Sequence, residues 1–204
     1  MQTINIPASL PVFTFTLYSE DNELADSALA KIGVSRTDAY CVVHPGSGGS
    51  AMDWRPESYA EACRLFTHLD NLTVVLSWGN VEQKLAEYIV HNSHQRVKAL
   101  PLVLPLPALA AVLQRAAFLL APSTGILHLA NAVGTPVIGL YPPIPWESPI
   151  RWGPYGNSGI TFVPDREKCP VCRGRPCRKK GCMDLITPQM VFEAAGALYK
   201  VKRQ

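Results

Sequence analysis

The stretch Ser123–Pro136, with the sequence STGILHLANAVGTP, decides the fold of this chain. The apolar run Phe118–Leu120 precedes it and the apolar run Val137–Tyr141 follows it, and both are typical of short buried strands. The residues between them predict one helix that begins at a Thr-Gly turn and carries His128 one turn in. Because a helix N-terminus offers free N–H groups and the positive end of its dipole, the stretch predicts an anion site at the carboxyl end of a parallel strand.

A second strand-to-helix connection has the same chemistry. Val42 and Val43 close an apolar strand, and residues 44–50, HPGSGGS, follow directly. The amides of such a glycine- and serine-rich loop can point at phosphate oxygens. Glycine-rich turns are common, so this loop supports a phosphate site only in combination with the first stretch.

The rest of the chain continues an alternation of strands and helices. This pattern predicts an α/β fold, a Rossmann-like parallel sheet with helices on both faces and right-handed crossovers. The predicted strands are 40–43, 73–77, 118–121, 137–141 and 160–163, and the predicted helices are 56–69, 81–92, 106–117, 125–133 and a last one with Pro188 at its first position.

The chain is expected to divide into a connector, residues 1–38, and a nucleotide-sugar-binding domain, residues 39–204. The connector is predicted to hold a strand, Val12–Tyr18, and a helix, Glu20–Ile32, that stops at Gly33. A length of 204 residues is enough for one α/β domain with a full core, and a net charge of +3 does not argue for a nucleic-acid partner. The first twenty residues do not have the composition of a secretory signal, so we expect a cytoplasmic protein.

Four motifs, in order, resemble glycosyltransferase family 9, the heptosyltransferases that build the lipopolysaccharide inner core. They are the His-Pro-Gly-Ser-Gly loop before Trp54, the turn Gly79–Glu82, the Ser123–Pro136 stretch and the segment Trp152–Gly156. The resemblance runs from about Cys41 to about Tyr199. It implies the C-terminal, donor-binding half of a two-domain GT-B enzyme, which takes a nucleoside diphosphate-sugar and transfers the sugar with inversion and without a required metal. ADP-heptose is the expected donor, and a related nucleotide-sugar is the alternative.

The resemblance also implies which residues bind the donor. These are Ser47, Gly48, Glu82, Ser123, Thr124, Gly125 and His128. Where family members often carry a lysine before the tryptophan, this chain has Met52, and Arg55 is the nearby cation that could contact phosphate instead. A buried imidazole bonded to a backbone carbonyl is the alternative for His128, and a solvated glutamate in a first helical turn is the alternative for Glu82.

In the family, the other half supplies the acceptor site and the catalytic aspartate base, and the resemblance does not cover that half. We therefore expect no catalytic residue on this chain. Two functions stay open: a donor domain that works with a separate N-terminal-type domain, or a non-catalytic nucleotide-sugar-binding remnant. The implied partners are the nucleotide-sugar and a lipid-linked or oligosaccharide acceptor. A lipid-linked acceptor is compatible with peripheral contact of the protein with the inner membrane.

Six cysteines fall into two groups. Cys41 on a predicted strand and Cys63 on a predicted helix are expected to be core thiols. The others form what is called here the cysteine cluster: Cys169, Cys172, Cys177 and Cys182. Four thiolates at this spacing could hold a structural zinc ion, with reduced thiols or disulfides as the alternatives. A zinc-stabilised basic patch for nucleic acid or anionic lipid is the weakest hypothesis, because no aromatic residues interleave the basic ones.

Overall fold

The computed structural model describes residues 15–156, 159–165 and 181–202. Within these ranges six strands form one sheet in the order β3-β2-β1-β4-β5-β6, and every neighbouring pair is parallel. The strands are β1 (Tyr40–Val43), β2 (Thr73–Leu76), β3 (Val97–Ala99), β4 (Leu119–Pro122), β5 (Val137–Leu140) and β6 (Gly159–Phe162). The helices are α1 (Ser19–Lys31), α2 (Pro56–Phe66), α3 (Gln83–His91), α4 (Leu106–Arg115), α5 (Gly125–Ala132), α6 (Pro149–Trp152) and α7 (Pro188–Lys202). The predicted α/β class and parallel sheet are confirmed.

Helices cover both faces of the sheet, and each face has its own apolar cluster. Successive residues of β1 point to opposite sides, so Cys41 and Val43 join one cluster, while Tyr40 and Val42 join the other. Helices α2, α3 and α7 close the first face, and α1, α4 and α5 close the second. Burial on both faces explains why the central strands are continuous apolar runs.

Helix α1 belongs to the second face, where it packs against α4. It ends at Lys31, one residue before the predicted end, and the predicted stop at Gly33 is confirmed: Gly33 has a φ of +74° and donates to Ala30 O, while Val34 donates to Leu29 O. This pair of bonds is a Schellman ending, which needs the left-handed backbone that glycine adopts without strain. The division of the chain between a connector and a domain stays a prediction.

Two secondary-structure predictions are wrong. Residues 15–18 are not in a strand, and the rest of the predicted strand Val12–Tyr18 lies outside the described residues. Strand β3 was not expected, because it is three residues long, lies at the sheet edge and carries the exposed Lys98 in its middle. A strand so short and half polar gives no apolar run in the sequence.

The strand order places a topological switch point between β1 and β4. From β1 the chain proceeds to β2 and β3 on one side, and from β4 to β5 and β6 on the other. The loops that leave the carboxyl ends of β1 and β4 therefore diverge and leave a crevice between them. Within the described ranges no helix has the length and apolar character to cross a membrane.

Candidate functional site

The crevice at the switch point holds a cavity of about 620 Å³, called here the main cavity. The loop after β1 lines it with Gly46, Ser47 and Gly48, and the start of α5 lines it with Thr124 and Gly125. These two predicted phosphate-type turns are thus brought to one site although more than seventy residues separate them. Half of the remaining lining residues are apolar: Phe15, Val81, Leu106, Ile126, Leu129 and Ala132. The other half are His44, Ser50, Gly79, Asn80, Glu82 and His128.

A second cavity of about 300 Å³, called here the side cavity, also lies at the α5 start. Ser50, Thr124, Gly125 and His128 line both cavities, so the two adjoin each other. Ser123 and two residues of the segment after β5 complete the side cavity; those two are Glu147 and Trp152. The two cavities, together called here the groove, therefore share the N-terminus of α5, and hydroxyl, imidazole, carboxylate and indole side chains line the side cavity.

The start of α5 is open toward this groove. Thr124 is the N-cap, yet its side chain makes no capping bond, and within the described part of the chain its buried Oγ1 has no hydrogen-bond partner. A Cβ added at Gly125 would meet no atom within 4 Å, so the space in front of the first helical residue is empty. A buried hydroxyl without a protein partner needs an explanation, and a water molecule, an ion or a ligand would each supply one.

Ser123 and His128 lie beside this helix start. Ser123, one of the expected donor-binding residues, precedes the N-cap and lines the side cavity. His128 is exposed and faces the groove one turn into α5. The alternative interpretation of His128, a buried imidazole bonded to a backbone carbonyl, is therefore excluded.

Glu82 occupies the opposite wall of the main cavity. Its Oε1 accepts the Gly48 amide at 2.7 Å, and its Oε2 accepts the Gly79 amide at 2.8 Å. Its own amide donates to Gly79 O at 3.0 Å, which closes a turn. Helix α3 therefore begins at Gln83, later than the predicted Val81, and Glu82 is a bonded N-cap residue instead of a solvated one.

His44 is a site residue that the sequence analysis did not single out. It follows β1 directly, lines the main cavity and is buried, with Nδ1 at 2.9 Å from Ser77 Oγ. Burial lowers the pKa of His44, because it disfavours the charged imidazolium. The nearby Glu82 charge and a hydrogen bond with Ser77 raise the pKa, but they offset the effect of burial only in part. Its place at the carboxyl end of a central strand was the signal available in the sequence.

The structure does not bring Arg55 to the groove. Its guanidinium pairs with Asp184 at 2.5 Å, and it lines neither cavity. Met52 packs against the apolar cluster beside Cys182. Within the described ranges, no lysine or arginine lines either cavity, so backbone amides and the α5 dipole are the positive groups that face the groove there.

The segment after β5 is held against the groove by hydrogen bonds. Tyr141 Oη donates to Trp152 O at 2.7 Å, and the Tyr155 amide donates to Asn131 Oδ1 on α5 at 2.8 Å. Arg151 lies over the Trp152 ring, 5.1 Å from its centroid. These bonds fix the wall of the side cavity to β5 and α5.

The core thiols are confirmed, and the cysteine cluster is not tested. Cys41 and Cys63 are completely buried, and burial raises the pKa of both thiols. Cys169, Cys172 and Cys177 lie outside the described residues. Cys182 is buried, with Sγ 3.6 Å from Met52 Sδ. Zinc binding by the four stays a prediction.

The sheet order, the crevice and the open helix start define a Rossmann-like fold with a candidate ligand site. Its fold matches solved glycosyltransferases: the family 9 glycosyl transferase from Veillonella parvula has a TM-score of 0.77 and 21% identity over 91% of this chain and 53% of that chain. The E. coli ADP-heptose lipopolysaccharide heptosyltransferase II has a TM-score of 0.76 and 18% identity over 98% of this chain and 57% of that chain. The fold is therefore that of one half of a GT-B glycosyltransferase.

Sequence comparison assigns the family. The model of glycosyltransferase family 9 (heptosyltransferase) matches residues 1–183. The lipopolysaccharide core heptosyltransferase OpsX of Haemophilus influenzae is 30% identical over 156 residues, which cover 76% of this chain and 42% of the relative. The chain belongs to glycosyltransferase family 9, and it spans about two fifths of the length of OpsX.

Proposed function

We propose that this chain binds a nucleoside diphosphate-sugar, ADP-heptose by preference, as the donor half of an inverting glycosyltransferase of lipopolysaccharide core or a related glycan. The observation that carries the proposal is the open N-terminus of α5, where Thr124 and Gly125 lie between the two cavities. The proposed donor sugar is taken from the name of the E. coli relative, an ADP-heptose heptosyltransferase.

The chemistry of the groove suggests how the donor would lie. The diphosphate would bind the first amides of α5 and the Thr124 hydroxyl, away from the Glu82 carboxylate, which repels it. The nucleoside would occupy the main cavity, where apolar side chains can cover a base. The sugar would then reach the side cavity, where Ser50, Glu147 and Trp152 offer hydroxyl, carboxylate and aromatic surfaces.

The negative charge of the diphosphate is only partly neutralised in this arrangement. The described lining offers helix dipole and amides but no lysine or arginine, so the diphosphate would be held more weakly than in a site with a basic side chain. Arg55 would contribute only if its pair with Asp184 opened. We propose that the second domain, and the acceptor that it holds, complete the site.

Calorimetry with the 204-residue chain tests donor binding. We expect ADP and ADP-heptose to bind with a Kd below ~1 mM, equivalent to about −4 kcal/mol, and adenosine to bind more weakly because it lacks the phosphates. A folded sample that binds neither nucleotide at millimolar concentration would contradict the proposal.

A transfer assay tests whether base catalysis belongs to the other half of the enzyme. With ADP-heptose and a lipid A–Kdo acceptor, this chain by itself should transfer sugar very slowly or not at all, because positioning and base catalysis are assigned to the other half. A turnover of about one per second, within the usual range of enzymes, would mean that this chain carries the catalytic base.

A further inference from the structure

Glu147, in the segment after β5, contributes a carboxylate to the lining of the side cavity. Within the described ranges this carboxylate makes neither a hydrogen bond nor an ion pair. Arg151, which follows it in the same segment, lies over the Trp152 ring instead, 5.1 Å from the ring centroid. Both carboxylate oxygens of Glu147 are therefore available to hydrogen-bond donors that enter the cavity.

Trp152 contributes an apolar ring surface to the same cavity. Its Nε1 donates to Trp146 O at 3.0 Å, and its own carbonyl accepts the Tyr141 hydroxyl at 2.7 Å. Because the one polar atom of the indole is already bonded, the ring offers a ligand only its carbon atoms and its π face. The same two bonds hold the ring in place before a ligand binds.

This pair of side chains fits a sugar better than a phosphate. Sugar hydroxyls donate hydrogen bonds to a carboxylate, and charge-assisted bonds of this kind are stronger than bonds between neutral groups. The C–H groups of a sugar ring carry partial positive charge and can pack against the negative face of an indole. An anionic group would be repelled by Glu147, since the described lining of the side cavity includes His128 but no lysine or arginine.

The side cavity also lies where the sugar of a bound donor must be. In a nucleoside diphosphate-sugar the sugar is bonded directly to the second phosphate. Thr124 and Gly125, which are the proposed phosphate ligands, line the side cavity together with Glu147 and Trp152. A sugar attached to a diphosphate at the start of α5 would therefore come within reach of the carboxylate and the indole.

We propose that Glu147 is a specificity-determining residue, whose carboxylate binds the hydroxyls of a neutral donor sugar and excludes sugars that carry a carboxylate or a phosphate. Trp152 covers the C–H face of the same sugar. The inference rests on the proposed function, which places the diphosphate at the start of α5, and it adds to that function the charge class of the sugar.

Calorimetry with two donors that differ in one group tests the exclusion of anionic sugars. ADP-glucose and ADP-glucuronate carry a hydroxymethyl group and a carboxylate, respectively, at the same ring carbon. The wild-type chain should bind ADP-glucuronate more weakly, by on the order of tenfold. Glu147→Gln removes the charge and keeps the size of the side chain, so the ratio of the two dissociation constants should fall toward one. Glu87→Gln removes an exposed charge of α3 that lines neither cavity, and it should leave the ratio unchanged.

The gain in affinity from a neutral sugar tests the attractive contacts. ADP-heptose should bind more tightly than ADP, and Trp152→Leu should reduce this gain by roughly 2- to 10-fold without changing the ratio between ADP-glucuronate and ADP-glucose. Trp146→Leu is the matched control, because Trp146 is exposed, lines neither cavity and contacts Trp152 through its backbone carbonyl. This control should leave the gain unchanged.

Thermal unfolding shows whether the variants are folded, and Glu147→Gln should leave the melting temperature unchanged, because the carboxylate has no partner in the described ranges. An equal ratio in the wild type and in Glu147→Gln, in folded proteins that bind ADP, would overturn the inference and leave the proposed function standing. If the wild type bound none of the ADP compounds, the proposed function would be contradicted, and the sugar specificity of Glu147 with it.

Discussion

Replacing Thr124 with valine should strengthen the fold and weaken donor binding at the same time. Valine keeps the shape of threonine and removes only the hydroxyl, whose Oγ1 is buried and unpartnered within the described part of the chain. Removing the hydroxyl of an N-cap threonine usually lowers the free energy of unfolding by about 0.5–2 kcal/mol. Here the hydroxyl makes no capping bond, so that loss does not arise.

The expected changes in stability and in ADP affinity have opposite signs. Leaving a buried hydroxyl unsatisfied costs about 1–3 kcal/mol, so Thr124→Val should raise the free energy of unfolding by up to about that amount. For a chain of this size, each kcal/mol corresponds to about 2–4 °C in melting temperature. A hydrogen bond to a charged phosphate contributes about 1.5–3 kcal/mol, so ADP affinity should fall by roughly 10- to 100-fold.

Thr135 offers a matched control. It is buried too, but its Oγ1 donates to Leu113 O at 2.6 Å. Thr135→Val should therefore lower the melting temperature and leave the ADP dissociation constant unchanged. Thermal unfolding and calorimetry on both variants check the prediction. If Thr124→Val destabilised the protein as Thr135→Val does, or left ADP affinity intact, the role of this hydroxyl as a phosphate ligand would be refuted.

Three further predictions concern stability and metal content. Asp26 pairs with Arg36 and Arg115, and the Arg115 pair ties α1 to α4. Asp26→Asn should lower the free energy of unfolding by about 1–3 kcal/mol in denaturant titrations. The control is Glu61→Gln, which breaks a half-exposed pair with Arg64 within α2, and an equal loss in the two variants would contradict the prediction. Because the pKa of His44 is lowered by burial, the unfolded chain binds more protons below its ordinary value of about 6.5, and stability should fall as the pH drops through that window. The slope should flatten in His44→Gln, and an unchanged slope would exclude His44 as its source. For the cysteine cluster, protein purified without chelator should carry about one zinc per chain, whereas four freely titrating thiols in zinc-free native protein would rule the metal site out.

The sequence by itself determined the fold class and the two ends of the site. Strands such as Tyr40–Val43 and Val137–Leu140 are apolar throughout, because a parallel sheet buries both of its faces. The Thr-Gly start of α5 and the Gly33 stop of α1 are also local, since one residue's conformation or hydrogen-bonding capacity decides each. Family membership followed from the same local motifs and their order.

Only the tertiary structure decided which side chains work together. Glu82 contacts Gly46 and Gly48 from another crossover unit, Arg55 pairs with Asp184 far along the chain, and Met52 packs into the apolar cluster. Nothing in the neighbouring sequence specifies these partners, because they are set by strand order and by the crevice between β1 and β4. Strand β3 illustrates the same limit: three residues with an exposed lysine become a strand only because the edge of β2 offers hydrogen-bond partners.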